Sequence, residues 1–131
     1  MSKDLIPKDV EQFILKNIKS VAQLEGLLIF CHEPDMDYSA ESLSKRLYIS
    51  ESETGKILAD LYAAGFISRQ SGKPALYRYQ PNPPELRQMI DRVAEIYAKY
   101  LVPVTNLIHA KPKTRVQEFA DAFKLRKEEE E

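Results

Sequence analysis

The side chains best placed to do chemistry are a few bases near the middle of the chain. Residues 66–82 contain Arg69, Lys73 and Arg78 but no acid, and Lys73 lies in a turn with Gly and Pro. Cationic groups on an exposed turn can contact phosphate oxygens or enter a minor groove. These bases favour a polyanionic ligand; the alternative is that they are solvated charges on a mixed surface.

The overall charge limits how far that idea extends. The 131 residues carry 19 Lys and Arg against 20 Asp and Glu, a net charge of −1. This balance excludes a uniformly basic nucleic-acid-binding protein, so any positive surface must be local. Lys45 and Arg46, a little upstream, are further candidates for phosphate contacts. The 44% of hydrophobic residues is enough for the core of one ordinary domain.

Other reactive residues point to no catalytic or metal site. The single Cys31 has the apolar neighbours Leu28, Ile29 and Phe30, which favours an inert buried thiol over a redox sensor. His32 and His109 are far apart in sequence. We find no nucleophile–base pair or phosphate-binding loop, and therefore expect no enzyme, no metal and no cofactor.

The distribution of apolar residues argues against a membrane protein. The longest apolar run, residues 27–31, is far too short to span a bilayer, and the first residues lack the apolar segment of a signal peptide. We expect a soluble, cytoplasmic protein without a membrane partner.

Helical periodicity dominates the first half of the chain. Apolar residues from Val10 to Leu28 recur at three- and four-residue steps, which predicts one helical face that ends before Pro34. Two short helices should follow. Ser39 can cap the first, and Ser50 with Glu53 forms a capping box for the second, which should run to about Ala64. A tight turn at residues 47–50 separates the two.

Alternating residues then predict a β-hairpin at residues 66–70 and 75–79, followed by a long helix that Pro103 should kink or interrupt. One apolar stripe of this helix has heptad-like spacing and is a candidate dimerisation surface. Its members are Leu86, Met89, Val93, Ile96, Tyr100 and Leu107. The alternative is that the helix folds back onto residues 8–19. Tyr97, Tyr100 and Met89 are placed to line an effector pocket, although packing is the favoured interpretation.

The order helix, helix, tight turn, helix, hairpin over residues 20–81 resembles the winged helix-turn-helix of MarR and TrmB-like transcriptional regulators. The segment 61–67, Leu-Tyr-Ala-Ala-Gly-Phe-Ile, is its most family-like part. The resemblance implies a mainly α fold with a small β-hairpin wing, of class α+β, with an N-terminal and a long C-terminal flanking helix. It also implies a homodimer that binds double-stranded DNA through a recognition helix in the major groove and a wing on the phosphate backbone.

Residues 50–65 would supply the recognition helix. Thr54, Ile57, Leu58 and Leu61 should face the core, leaving Ser52, Gly55, Lys56, Ala59 and Ala63 on the outer face. Small side chains there permit close approach to DNA, with Ser52 and Lys56 contacting base edges or nearby phosphates.

We therefore predict a winged helix-turn-helix domain with an N-terminal helix at residues 1–83, a helical dimerisation arm at 84–125 and a charged tail at 126–131. The segment around Val116, Phe119 and Phe123 should add a short amphipathic turn. A small-molecule effector is left open. The alternative function is a winged-helix module that binds another protein and not DNA. The acids Glu51, Glu53 and Asp60 along one flank of the recognition helix favour it.

Overall fold

A computed structural model describes residues 5–110. Its elements are α1 (Lys8–Asn17), α2 (Val21–His32), α3 (Ala40–Leu47), α4 (Glu51–Ala63), β1 (Ile67–Gln70), β2 (Leu76–Tyr79), α5 (Leu86–Lys99) and α6 (Leu101–His109). The two strands form an antiparallel hairpin, with Ile67 opposite Tyr79 and Gln70 opposite Leu76. The predicted α+β class, mainly helical with a β-hairpin wing, is confirmed.

The prediction of one N-terminal helical segment is wrong, because the chain breaks between α1 and α2. Ser20 caps α2: its hydroxyl accepts a hydrogen bond from the backbone N–H of Gln23 (3.1 Å). The buried Gln23 amide accepts from the N–H of Lys19 and donates to the carbonyl of Asn17. Apolar periodicity continues across this break, and only the Ser-x-x-Gln spacing marks it.

The turn between α3 and α4 is built from two serine caps. Ser39 and Ser42 form a reciprocal capping box at the start of α3, so the predicted cap at Ser39 is confirmed. At α4 the Ser50 hydroxyl accepts from the N–H of Glu53 (3.0 Å). The reciprocal bond, from the Ser50 N–H to the Glu53 carboxylate, is not among the hydrogen bonds of residues 5–110. The predicted capping box is therefore only half formed.

Backbone contacts attach the wing to the rest of the domain. Tyr38 and Tyr77 exchange two backbone hydrogen bonds of 2.8 Å, which adds one residue of a third strand beside β2. Gly65 follows α4 with a φ of +83°, as its predicted position after the helix cap requires. A β-carbon at Gly65 would lie 2.8 Å from the Asn82 carbonyl oxygen, so this crossing of two chain segments needs glycine.

The C-terminal helix is interrupted at Tyr100 rather than at Pro103. Tyr100 has φ −128° and ψ 54°, and α6 starts at the next residue. Pro103 is thus the third residue of α6, where a backbone N–H has no partner within the helix and its loss costs little. The helix is interrupted, as predicted. Pro103 does not lie at the break itself but in the first turn of the helix that follows it.

Helix α5 packs on α1 and α2 of the same chain, and α6 packs on α1. Ile90, Val93, Val104 and Ile108 are all at most 4% exposed, and Arg92 pairs with Asp9 across α5 and α1. This is the alternative in which the helix folds back. Val93, predicted at a dimer surface, is instead fully buried in its own chain because the stripe that faces the core runs through it.

The other residues of that stripe remain at the edge of the core. Leu86, Met89, Ile96 and Leu107 are partly buried against it, and Tyr100 is also half-buried. The residues at 116–123 and the predicted tail at 126–131 lie outside the described part of the chain. Within residues 5–110, none of the helices has the length and apolar character needed to cross a membrane.

Candidate nucleic-acid interface

Helix α4 has the two faces that its sequence predicts. Thr54, Leu58 and Leu61 are fully buried and Ile57 is 9% exposed, so this face holds α4 against the core. The opposite face is open to solvent; its exposed members are Ser52, Lys56, Ala59 and Ala63. A β-carbon placed on Gly55 would meet no atom within 4 Å. The outer face is therefore smooth enough for another molecule to approach the helix backbone.

Acidic groups border this face at both ends of α4. Glu51 and Glu53 are exposed in the first turn. Asp60 lies in the third turn and pairs with Lys19, in the α1–α2 connection, at 3.4 Å. The pairing with Lys19 offsets the charge of Asp60. The other two acids beside this face are the glutamates at the start of the helix.

Arg46, a predicted phosphate contact, is engaged within the chain. One of its terminal nitrogens donates to the Tyr38 hydroxyl (2.7 Å) and the other pairs with the Glu33 carboxylate (2.8 Å). The Tyr38 hydroxyl donates to the other oxygen of Glu33 (2.6 Å), which closes a ring of three side chains. Arg46 and the Tyr38 hydroxyl hold the pKa of Glu33 below its ordinary value. The ring ties the end of α2 to α3.

Arg78 on β2 is also paired. Its Nε and Nη2 donate to the two carboxylate oxygens of Asp37 at 2.9 and 3.2 Å. The Arg78 side chain is 51% exposed and that of Asp37 is 35% exposed, so the pair lies at the surface of the wing. Residues 66–82 contain no acid, yet an acid from the loop before α3 neutralises one of their three bases.

The remaining candidate bases are more accessible. Lys45 lies 3.8 Å from Glu41 one helical turn away, and its side chain is 76% exposed. Lys56, Arg69 and Lys73 are exposed and form no ion pair with any residue of 5–110. The structure thus brings the predicted site residues to α3, α4 and the wing, and divides them into free and paired cations.

Sequence reasoning missed the partners of the two arginines, namely Glu33, Asp37 and Tyr38. The available signal was a run of acids just before α3, residues 33–37. These acids lie outside residues 66–82, and no local pattern pairs them with the bases of that segment. The backbone bridge between Tyr38 and Tyr77 places this loop beside β2, which contains Arg78.

The remaining side chains singled out from the sequence have packing roles. Cys31 is half-buried, its thiol donates to Asp91 (3.4 Å), and burial raises its pKa, as in an unreactive thiol. Tyr97 is 8% exposed and belongs to the hydrophobic core. Met89 is partly buried and packs against the edge of this core. These positions agree with the packing interpretation that the sequence favoured.

Structural comparison relates this arrangement to known proteins. No protein-family model and no curated protein sequence matches the chain. The heme sensor protein PefR from Streptococcus agalactiae has a TM-score of 0.54 at 13% identity, covering 90% of this chain and 81% of PefR. The transcriptional regulator Tm0710 from Thermotoga maritima has a TM-score of 0.52 at 16% identity, covering 90% and 80%.

The MarR repressor of Listeria monocytogenes has a TM-score of 0.50 at 19% identity, covering 92% of this chain and 78% of the repressor. At these identities the likeness concerns the fold, which agrees with the element order and with the hairpin described above. The chain therefore has the winged helix-turn-helix fold of MarR-type transcriptional regulators.

Proposed function

We propose that the protein is a DNA-binding transcriptional regulator, which inserts α4 into the major groove and places its wing on the phosphate backbone. The observation that carries the proposal is the outer face of α4. Small or polar side chains, a bare Gly55 and the base Lys56 occupy it, while the opposite face anchors the helix in the core. Such a helix can approach base edges closely.

The free cations supply the electrostatic part of binding. Lys56 on α4 and Arg69 and Lys73 on the wing are exposed and unpaired among the described residues. Three phosphate contacts per copy give weak, salt-sensitive binding, whereas two copies together provide about six and a log–log salt slope near −5. Lys45 and, when released from their carboxylates, Arg46 and Arg78 extend the same surface.

Binding by two copies requires a homodimer, which we place at the C-terminal helices. Leu101 and Val102 begin α6 and are 53% and 61% exposed, and Leu5 at the other end of the described chain is 41% exposed. A second copy covering Leu101 and Val102 would remove adjacent apolar surface from water. The half-buried edge of α5 and α6, with Met89, Ile96, Tyr100 and Leu107, would flank this contact.

A salt titration of binding to random and genomic duplex DNA tests the proposal. The double variant Arg69→Ala, Lys73→Ala should reduce affinity and make the salt slope shallower by about two per copy. Lys56→Ala should reduce affinity and alter sequence preference. Lys16→Ala, which removes an exposed base from α1, is the matched control and should leave binding unchanged. Absence of affinity at low salt would refute the proposal.

The alternative is a winged-helix module that binds another protein. The observation in its favour is the acidity at the start of α4, where Glu51 and Glu53 are exposed, together with the neutralised Arg78. The same titration distinguishes the two functions. A protein-binding module would show no salt-dependent affinity for duplex DNA, and the wing variants would behave like the wild type.

A further inference from the structure

Tyr48 is the most exposed large hydrophobic residue of the described chain. Its side chain is 92% exposed, whereas Tyr62, the next most exposed of the seven tyrosines, is at 51%. Leu47 and Ile49 on either side are packed against the core. The turn between α3 and α4 is therefore held by its neighbours, and the Tyr48 ring contributes no packing to it.

The backbone of Tyr48 is also unfavourable for tyrosine. Its φ of 59° and ψ of 38° place it in the left-handed region, where it ends α3 by donating its N–H to the carbonyl of Ser44 (2.8 Å). A β-carbon in this conformation crowds the following carbonyl, while glycine adopts it freely. The turn needs a left-handed residue but does not need an aromatic ring. The ring is therefore suited to a contact outside the described chain.

The surroundings of Tyr48 indicate the chemistry of that contact. Lys45, three residues earlier, is 76% exposed, and Ser50, two residues later, is the N-cap of α4. Between residues 45 and 56 no other large hydrophobic side chain is strongly exposed. A protein contact is expected to surround an aromatic residue with apolar neighbours. The groups around Tyr48 are polar or charged, with the exposed Glu51 as well as Lys45 close in sequence, and an isolated phenol among them fits a sugar–phosphate backbone better than an apolar protein contact.

We propose that Tyr48 contacts the DNA backbone at the edge of the groove that α4 enters, donating its hydroxyl to a phosphate oxygen and packing its ring on the adjacent deoxyribose. Tyrosine is among the side chains that contact phosphate and sugar in protein–DNA complexes. The inference rests on the proposed DNA-binding function and adds to it a neutral positioning contact. Such a contact would explain why an exposed tyrosine, and not glycine, occupies this left-handed position.

Substitution of Tyr48 tests this contact because stability and binding should change in opposite directions. In Tyr48→Gly the melting temperature should rise by a few degrees, while affinity for duplex DNA should fall about tenfold. Tyr48→Phe should lose only the hydroxyl bond and show an intermediate affinity. Neither variant should alter the salt slope, because a neutral side chain releases no counterion. Met36→Ala removes a large apolar side chain that is 50% exposed and lies outside α4 and the turn before it, so it is the control and should bind as the wild type does.

Each outcome is informative. Wild-type protein that does not bind DNA removes the proposed function, and this inference with it. Wild-type protein that binds, with Tyr48→Gly binding equally well, removes only the role of Tyr48. A lower melting temperature in Tyr48→Gly would make the ring structural, and a change in self-association would assign it to a contact between copies. Either result would overturn the inference.

Discussion

Arg78 on β2 and Asp37 in the loop before α3 form a bidentate ion pair although they are 41 positions apart in sequence. Nε and Nη2 of the guanidinium are both used, which leaves Nη1 as the nitrogen not committed to Asp37. The loop before α3 therefore sets the charge of the wing. Three bases in residues 66–82 amount to two free cations and one neutral pair.

Replacing Asp37 by asparagine should strengthen DNA binding. The substitution keeps the size of the side chain but removes the charge that Arg78 must leave to reach a phosphate. We expect higher affinity at low salt and a salt slope steeper by about one per copy, measured by fluorescence anisotropy. The loss of stability should be small, about 0.2–1 kcal/mol, because the pair is at the surface.

The matched control is Asp35→Asn, which removes the same charge from the same loop without breaking the bidentate pair. It should change affinity much less than Asp37→Asn. Weaker binding by Asp37→Asn would contradict the prediction and show that Asp37 orients Arg78 toward DNA.

The faces of α4 could be predicted from sequence, whereas the charge pairs could not. The periodicity of Thr54, Leu58 and Leu61 is local, and a helix converts it directly into a buried stripe. The pairing of Asp37 with Arg78 depends on the bridge between Tyr38 and Tyr77, which is a contact between distant segments. Local patterns carry no information about such contacts.

The helix boundaries show the same limit. The apolar repeat of α1 continues in phase into α2, so periodicity alone joins them, and the cap at Ser20 with Gln23 decides the break. Val93 belongs to an apolar stripe that suits either a partner copy or the core of its own chain. Only the packing of α5 on α1 and α2 distinguishes these, and it buries Val93 completely.

Gly55→Ala should separate stability from DNA binding. Alanine is favoured over glycine within a helix by about 0.5–1 kcal/mol, and a methyl group at this position meets no atom of the described chain. The free energy of unfolding should rise by that amount in denaturant titrations. If α4 enters a groove, the same methyl group should reduce DNA affinity by about 1 kcal/mol, roughly fivefold.

The inverse substitution on α5, Ala98→Gly, serves as the control for Gly55→Ala. It should lower stability by a similar amount and leave affinity unchanged, because Ala98 belongs neither to the elements proposed to contact DNA nor to the side chains proposed to lie between copies. DNA affinity that is unaffected by Gly55→Ala would argue against close approach at this point of the helix.

Alkaline pH should destabilise the protein through its buried phenols. Burial, with the nearby Glu25 carboxylate, raises the pKa of Tyr97 to about 12. Because the folded state holds the neutral phenol more strongly, this stabilisation is complete below the unfolded pKa of about 10 and is lost as pH rises to about 12. Burial raises the pKa of Tyr79 as well.

Denaturant unfolding at pH 8 and pH 11 measures this effect. Tyr97→Phe should lose less stability between the two pH values than the wild type, since one phenol no longer ionises on unfolding. Tyr62→Phe, at a tyrosine that is 51% exposed, should keep the wild-type difference. An equal loss in Tyr97→Phe and wild type would mean that Tyr97 is not protected from ionisation.

The exposed start of α6 should govern self-association, while Val93 should govern stability. The double variant Leu101→Lys, Val102→Lys places two charges on the proposed contact between copies and should sediment as a monomer that stays folded. Its affinity for DNA should fall, because two copies no longer bind together.

Val93→Ala removes packed atoms from the core and should cost about 1–3 kcal/mol of stability without changing the sedimentation of the folded protein. If the variant with the two lysines is still a dimer, the contact between copies lies elsewhere. If Val93→Ala is monomeric at full stability, that contact lies on the α5 stripe.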